Sequence, residues 1–224
     1  MKQWIKKTAL FLARVELFGT LVGAAFEYVS FLLPIARRAE NHLAVCFDHP
    51  VPATPFHLLA IPKQRVGTIF DLSSQQRSEV FEAVMQCIES ALCAEVGRFS
   101  ITSNFGRRQE VKQVHWHIIR EEQNKRKFGR RKTDRQDFVF ETDRGVEFRY
   151  QTERNDKGVL EVKSARAGSD YQSRDEIIGE IKNAIERKRQ YLLGSKGFSL
   201  VLEVSKAKNA PVEWPTCFTF FIDQ

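Results

Sequence analysis

The sequence predicts an α+β fold: antiparallel strands packed on helices, the arrangement laid down twice, with an apolar helical segment in front. Three observations support it. Short strand-like apolar runs occur in both halves of the chain. Two stripes of helical spacing, each opening on a capping-box pattern, interrupt them. The order strands, helix, strand, loop, strand occurs within residues 39–122 and again within 137–224.

With 224 residues, the chain can hold one large domain or two small ones. A hydrophobic fraction of 42% and 18 Phe exclude a disordered chain. The formal charge of +7 favours anionic partners. Cys46, Cys87, Cys93 and Cys217 lack zinc-ligand or C-x-x-C spacing and read as buried thiols in a reducing, cytoplasmic setting.

Residues 1–38 form the apolar N-terminal segment, predicted helical. No small-residue cleavage site follows a short apolar core, so a signal peptide fits poorly. Glu27, Gly19, Gly23 and Pro34 weigh against a membrane span. Helices packed on the domain, or peripheral membrane contact through residues 4–35, fit better.

In the first module, His42–Phe47 reads as a buried strand. Asp48-His49-Pro50-Val51-Pro52-Ala53-Thr54-Pro55 holds three prolines and must be extended loop. Phe56–Ile61 is a second strand, and Val66 and Ile69 mark an edge-like third piece. Ser73 to Gln76 has capping-box spacing, and Val80, Phe81, Val84, Ile88, Ala91 and Leu92 supply one buried helix face. Gly97 reads as the helix stop. Phe99–Ser103 is the next strand, entering the polar loop Asn104–Glu110.

Gln113-Val114-His115-Trp116-His117-Ile118-Ile119 follows. As a strand it puts Gln113, His115 and His117 on one face and Val114, Trp116 and Ile118 on the other. Two imidazoles so placed can approach one phosphate. An H-x-H pair also suits a metal clip or two incidental surface histidines, so the pattern alone decides nothing. All five histidines fall between residues 42 and 117.

Residues 123–136 are a basic linker or loop, with Lys125–Lys132 as its charge run. Its reading is a solvated segment, with polyphosphate, nucleic acid or anionic membrane as lesser options. Residues 137–224 are ordered in pattern again. Phe138–Phe140 and Val146–Tyr150 flank Asp143-Arg144-Gly145 as a hairpin, and Val159–Val162 is a third strand. Ser173 to Glu176 has capping-box spacing before the stripe Ile177, Ile178, Ile181, Ala184, Ile185 and Leu192. Gly194 and Gly197 end that helix, and Phe198–Val204 and Cys217–Ile222 are strands. Phe198-Ser199-Leu200 parallels Phe99-Ser100-Ile101. Phe218-Thr219-Phe220-Phe221-Ile222 parallels His115-Trp116-His117-Ile118-Ile119, with phenylalanines where the histidines stand. The second half reads as a degenerate copy of the first, or as an unrelated α+β brace.

Taken together, the blocks resemble the histidine-triad (HIT) superfamily of nucleotide hydrolases and transferases. The resemblance covers roughly residues 34–122. It rests on Phe47-Asp48-His49-Pro50 through His57-Leu58-Leu59-Ala60-Ile61-Pro62-Lys63, on Asn104-Phe105-Gly106, and on the H-φ-H-φ-H-φ-φ signature at Gln113–Ile119. It implies a HIT-like antiparallel sheet with a packed helix, duplicated here as a pseudo-dimer. It implies His115 as the nucleophile that forms a nucleotidyl-imidazole, His117 at the phosphate and leaving group, and His57 orienting the nucleophile. Asn104, Gln109 and Gln113 are implied near the substrate, and Asp48 or His49 at the ribose. The first triad histidine is replaced by Gln113, and Arg107, Arg108 and Glu110 stand where the family has a serine-bearing, glycine-rich loop. The expected partner is a nucleotide or nucleotide conjugate, with neither metal nor cofactor needed for the nucleophilic step. The expected assembly is a monomeric pseudo-dimer or a homodimer. A non-catalytic nucleotide-binding or membrane-associated scaffold is the alternative.

Overall fold

A computed structural model describes residues 24–25, 35–109, 111–121, 139–143, 146–152, 157–164, 171–172, 174–215 and 217–223. The basic run Lys125–Lys132, Glu110, the Arg144-Gly145 turn and the Ser173 cap lie outside them. Of the N-terminal segment before residue 35, Ala24 and Ala25 are described, and both are helical. No helix among the described residues is long and apolar enough to cross a membrane.

The first half comprises β1 (Arg37–Glu40), β2 (Ala44–Asp48), β3 (His57–Pro62), α1 (Ser74–Ala91), β4 (Gly97–Gly106) and β5 (Trp116–Arg120). The second comprises β6 (Val139–Asp143), β7 (Val146–Thr152), β8 (Lys157–Ser164), β9 (Tyr171–Gln172), α2 (Arg174–Arg187), α3 (Arg189–Gly194), β10 (Gly197–Lys206), β11 (Val212–Pro215) and β12 (Cys217–Asp223). The main sheet runs β1-β2-β3-β5-β4-β10-β12-β8-β7-β6, antiparallel throughout, with β11 added to β10 and β9 to β11.

That order is the same on both sides of its middle. In each half three strands form a meander, a helix follows, and the last two strands enter in reversed order. The mirrored halves meet at β4 and β10, paired without a break from Gly97↔Lys206 to Gly106↔Gly197. The fold is therefore α+β with one strand-and-helix arrangement repeated across one seam, as the sequence order implies.

Local chemistry explains most element boundaries. The Ser73 hydroxyl accepts from the Gln76 N–H at 3.2 Å and the Gln76 side chain accepts from the Ser73 N–H at 3.0 Å, closing the capping box. Helix α1 ends before Gly97. Leu92 is its C-cap, and Gly97 instead opens β4 at φ 137. The edge-like piece at Val66 and Ile69 is no strand but a short 3-10 turn, Ile69–Asp71, capped by Thr68. The second stripe is split at Lys188 into α2 and α3.

One continuous core runs beneath both halves, from Phe81, Ile88, Ile101 and Trp116 to Ile181, Leu202, Phe218 and Phe220. Arg77 ties the helices together and is only 2% exposed. Its Nε and Nη2 donate to the carbonyls of Ile69 (3.0 Å) and Leu72 (3.1 Å), and Nη1 to Glu186 of α2 at 3.1 Å. Cys46 and Cys87 are buried as expected, and desolvation raises both thiols. Cys93, by contrast, is exposed because it follows the end of α1.

The register corrects one sequence alignment. Trp116, Ser103, Leu200 and Phe220 form one row across the sheet, and Ile118, Ile101, Leu202 and Phe218 the next core-facing row. Phe218 and Phe220 therefore share the face of Ile118 and Trp116. The row containing His117 continues through Thr102 and Val201 to Thr219. Because side chains alternate, a one-residue slip exchanges the faces.

Candidate functional site

His57 begins β3 and His117 lies on β5, two adjacent strands. The Ala53 N–H donates to His57 Nδ1 at 3.1 Å, and His57 Nε2 lies 2.9 Å from His117 Nδ1. An amide can only donate, so the neutral His57 ring carries its proton on Nε2 and passes a hydrogen bond to His117 Nδ1. His117 then carries its own proton on Nε2.

His115 stands just before β5, with its ring edge-on to His117 at a centroid distance of 4.9 Å. Its Nδ1 lies 2.7 Å from the Gln113 carbonyl oxygen. A carbonyl can only accept, so Nδ1 holds the proton and the neutral ring's lone pair is on Nε2. Ser103 fixes the same turn, donating from Oγ to the His115 carbonyl at 2.8 Å. Nothing in the local sequence marks Ser103 for that part.

His49 completes the group. Its ring stacks on His57 at 4.0 Å and lies 5.7 Å from His117, while its Nδ1 accepts from the Val51 N–H at 3.0 Å. Asp48, the other candidate for the ribose position, is held by Arg38 Nε at 2.8 Å. The structure thus brings His49 to the histidines and turns Asp48 into an ion pair.

Burial keeps the His57 and His117 rings neutral. Desolvation, then His49, lowers His57 to about 4. Desolvation, then His115, His57 and His49, lowers His117 to about 3.

The nearest ring nitrogens of His49, His57 and His117 lie within 4.8 Å of one another, a spacing that a metal could bridge. The tautomers oppose it. His49 and His57 use their Nδ1 lone pairs on backbone amides, and the His117 Nδ1 lone pair receives His57. Neutral His49 and His117 then present an N–H at Nε2, while that of His57 is given to His117 Nδ1, and a metal would have to displace those protons. Hydrogen-bond donors suit an anion.

Gln113 takes a different part. It is 1% exposed, accepts from the Val66 N–H at 3.0 Å, and donates to the carbonyls of Pro62 (3.2 Å) and Gln64 (3.0 Å). Both amide hydrogens are used, so the residue staples the loop after β3 instead of facing a ligand. Gln109 donates to the Gly67 carbonyl at 2.9 Å, away from the histidines.

Asn104 lies two residues beyond Thr102 on the face that carries His117. Its Oδ1 accepts from Ser199 Oγ at 2.6 Å, and Arg108 Nη1 donates to the same hydroxyl at 3.1 Å. Ser199 belongs to β10, so the second half supplies a polar group beside the first half's loop. Only the β4–β10 register reveals it.

Comparison with known proteins agrees with this architecture. Residues 37–124 match the HIT domain family. Among solved structures, a galt-like protein from Arabidopsis thaliana aligns with 90% of this chain and 82% of its own, at 11% identity and TM-score 0.53. A HIT family hydrolase from Clostridium thermocellum aligns with 46% of this chain and 92% of its own, at 21% identity and TM-score 0.39. Yeast Ap4A phosphorylase in complex with AMP aligns with 91% of this chain and 64% of its own, at 12% identity and TM-score 0.46. The likeness to the Arabidopsis protein is one of fold. No curated protein sequence matches the chain significantly.

Proposed function

From the match of residues 37–124 to the HIT domain family, we propose that this protein processes nucleotides, by hydrolysis or nucleotidyl transfer at the α-phosphate through His115. The candidate substrates are a nucleoside phosphoramidate, a dinucleoside polyphosphate or a sugar nucleotide. The observation that carries this reading is the 2.7 Å contact from His115 Nδ1 to the Gln113 carbonyl, which puts the lone pair on Nε2.

In the first step Nε2 attacks the α-phosphorus. An N–P bond forms, and the bond from phosphorus to the leaving group breaks. Its electron pair departs with the leaving group, which is protonated from solvent. The resulting imidazolium keeps its Nδ1–H on the Gln113 carbonyl, which stabilises the positive ring. In the second step water or an acceptor hydroxyl or phosphate attacks phosphorus, the N–P bond breaks, and the nucleophile's proton, if any, goes to solvent.

His117, lowered to about 3, is neutral at working pH. Its part is therefore a hydrogen bond from Nε2–H to the phosphate or leaving oxygen, not full proton donation. His57 acts through His117 by fixing its tautomer, and His49 adds a further donor beside them. Asn104, with Ser199 and Arg108, forms the polar margin.

The test is to incubate the full chain with α-labelled nucleotide substrates, quench, and map an acid-labile adduct. The adduct should lie on His115 and vanish, with turnover, in His115→Ala. Unchanged turnover in a clean preparation of that variant would refute the mechanism. Binding without turnover in the wild type would favour the non-catalytic alternative.

A further inference from the structure

At the Gly106–Gly197 end of the β4–β10 seam lies a cleft of about 820 Å³, none of whose lining residues is a histidine. That volume falls in the range of small-molecule sites. One wall comes from the segments around the 3-10 turn, from residues 105–109 and from Lys112, and the other from the end of α3 through Phe198.

Cations outnumber acids among its described lining residues. Arg65, Arg107, Lys112 and Lys196 line it, and Asp71 is the one acid among the described lining residues. The Asp71 carboxylate accepts from the Thr68 N–H at 2.9 Å within its own turn.

Two of these cations are brought together by the backbone. The Arg107 N–H donates to the Lys196 carbonyl at 2.9 Å. The approach needs both glycines. A Cβ on Gly106 would lie 2.8 Å from Gly197 Cα, and one on Gly197 would lie 2.8 Å from the Phe105 carbonyl oxygen.

Phe105 and Phe198 stack at 4.6 Å but are 1% and 3% exposed, so the apolar surface open to a ligand begins with Phe70, half-buried and tilted against Phe198 at 6.1 Å. Leu193 adds an apolar side chain that is 49% exposed.

We propose that this cleft is a second anion site, separate from the histidines, which takes an organic phosphate with a flat or apolar body. Arg107 and Lys196 clamp the phosphoryl group, and the body lies against Phe70 and Leu193. A guanidinium beside an ammonium matches phosphate oxygens in shape and charge. The concave, partly apolar surface suits a small molecule better than a flat macromolecular face. Arg107, Gln109 and Lys112 line the cleft, whereas Arg108 turns to Ser199.

The test is isothermal titration of the full chain with 1-naphthyl phosphate and, separately, inorganic phosphate. Naphthyl phosphate should bind saturably to the wild type and to His115→Ala with similar affinity. It should bind at least about tenfold more weakly to Arg107→Gln/Lys196→Gln, while Lys196→Arg retains the site. Inorganic phosphate, lacking the apolar body, should bind about tenfold more weakly than naphthyl phosphate. The assignment fails if no saturable binding occurs or if the double variant binds as the wild type does. It also fails if His115→Ala or Lys196→Arg abolishes binding, or if the two phosphates bind equally.

Discussion

His57 and His117, sixty residues apart in sequence, are joined ring to ring by a 2.9 Å hydrogen bond whose direction is set by the Ala53 amide. The bond exists because β3 and β5 are neighbours in the sheet. It holds two neutral imidazoles in a buried row, and that neutrality has a measurable cost in acid.

His57 titrates at about 4 in the folded protein, against 6.5 ordinarily. Between those values the unfolded chain holds a proton that the folded chain lacks, so stability falls as pH falls through that window and levels off below it. The His57 contribution is on the order of 3 kcal/mol. His117 extends the window to about 3. Urea unfolding at about pH 7, 5.5 and 4 should show the decline, and His57→Gln should flatten it. An equal slope in the variant would show that the acid sensitivity arises elsewhere.

Gln113 should matter for stability ahead of chemistry. Gln113→Leu leaves the Val66 N–H and the carbonyls of Pro62 and Gln64 without their side-chain partner. A loss of about 3 kcal/mol or more is expected, since each unsatisfied buried group costs roughly 1–3 kcal/mol. Gln113→Glu should also destabilise near neutral pH, because a carboxylate cannot donate to Pro62 and Gln64. Denaturation midpoints check both. A Gln113→Leu protein of normal stability but lost ligand affinity would return this residue to the substrate.

The seam can be probed at one atom. In Gly197→Ala the added Cβ would meet the Phe105 carbonyl oxygen at 2.8 Å and the Arg107 nitrogen at 2.9 Å, all backbone. Relief requires β4 and β10 to part, at roughly 1–3 kcal/mol. Gly194→Ala, with nothing within 4 Å of the new Cβ, is the control and should be neutral or stabilising. Thermal melts of the two variants separate a tight seam from general sensitivity to glycine replacement.

Arg77 tests whether the halves unfold as one. Arg77→Met keeps the length of the side chain but abandons the carbonyls of Ile69 and Leu72 and the contact with Glu186. Stability should fall by about 2 kcal/mol or more. Amide exchange should rise in α1 and α2 together. A rise confined to α1 would mean that the two halves open independently.

Much was legible in the residues themselves. Alternation around His115 and His117, the proline-rich stretch before His57, the capping box at Ser73 and the repeated element order are all local or periodic. Such patterns reflect backbone geometry that each segment imposes on itself. They were enough to indicate an α+β fold and a doubled plan, while the order of the motif blocks carried the resemblance to the histidine-triad family.

Tertiary structure decided what depends on pairing between distant strands. It turned Phe218 and Phe220 inward by one residue of register, and it gave Gln113 a buried staple. It brought His49 to the rings while Arg38 drew Asp48 away. It also placed Ser199 beside Asn104 and Lys196 beside Arg107. A side chain's own chemistry names the bonds it can make. Which partner lies within 3 Å follows from sheet register and chain crossing, and these are properties of the assembled fold.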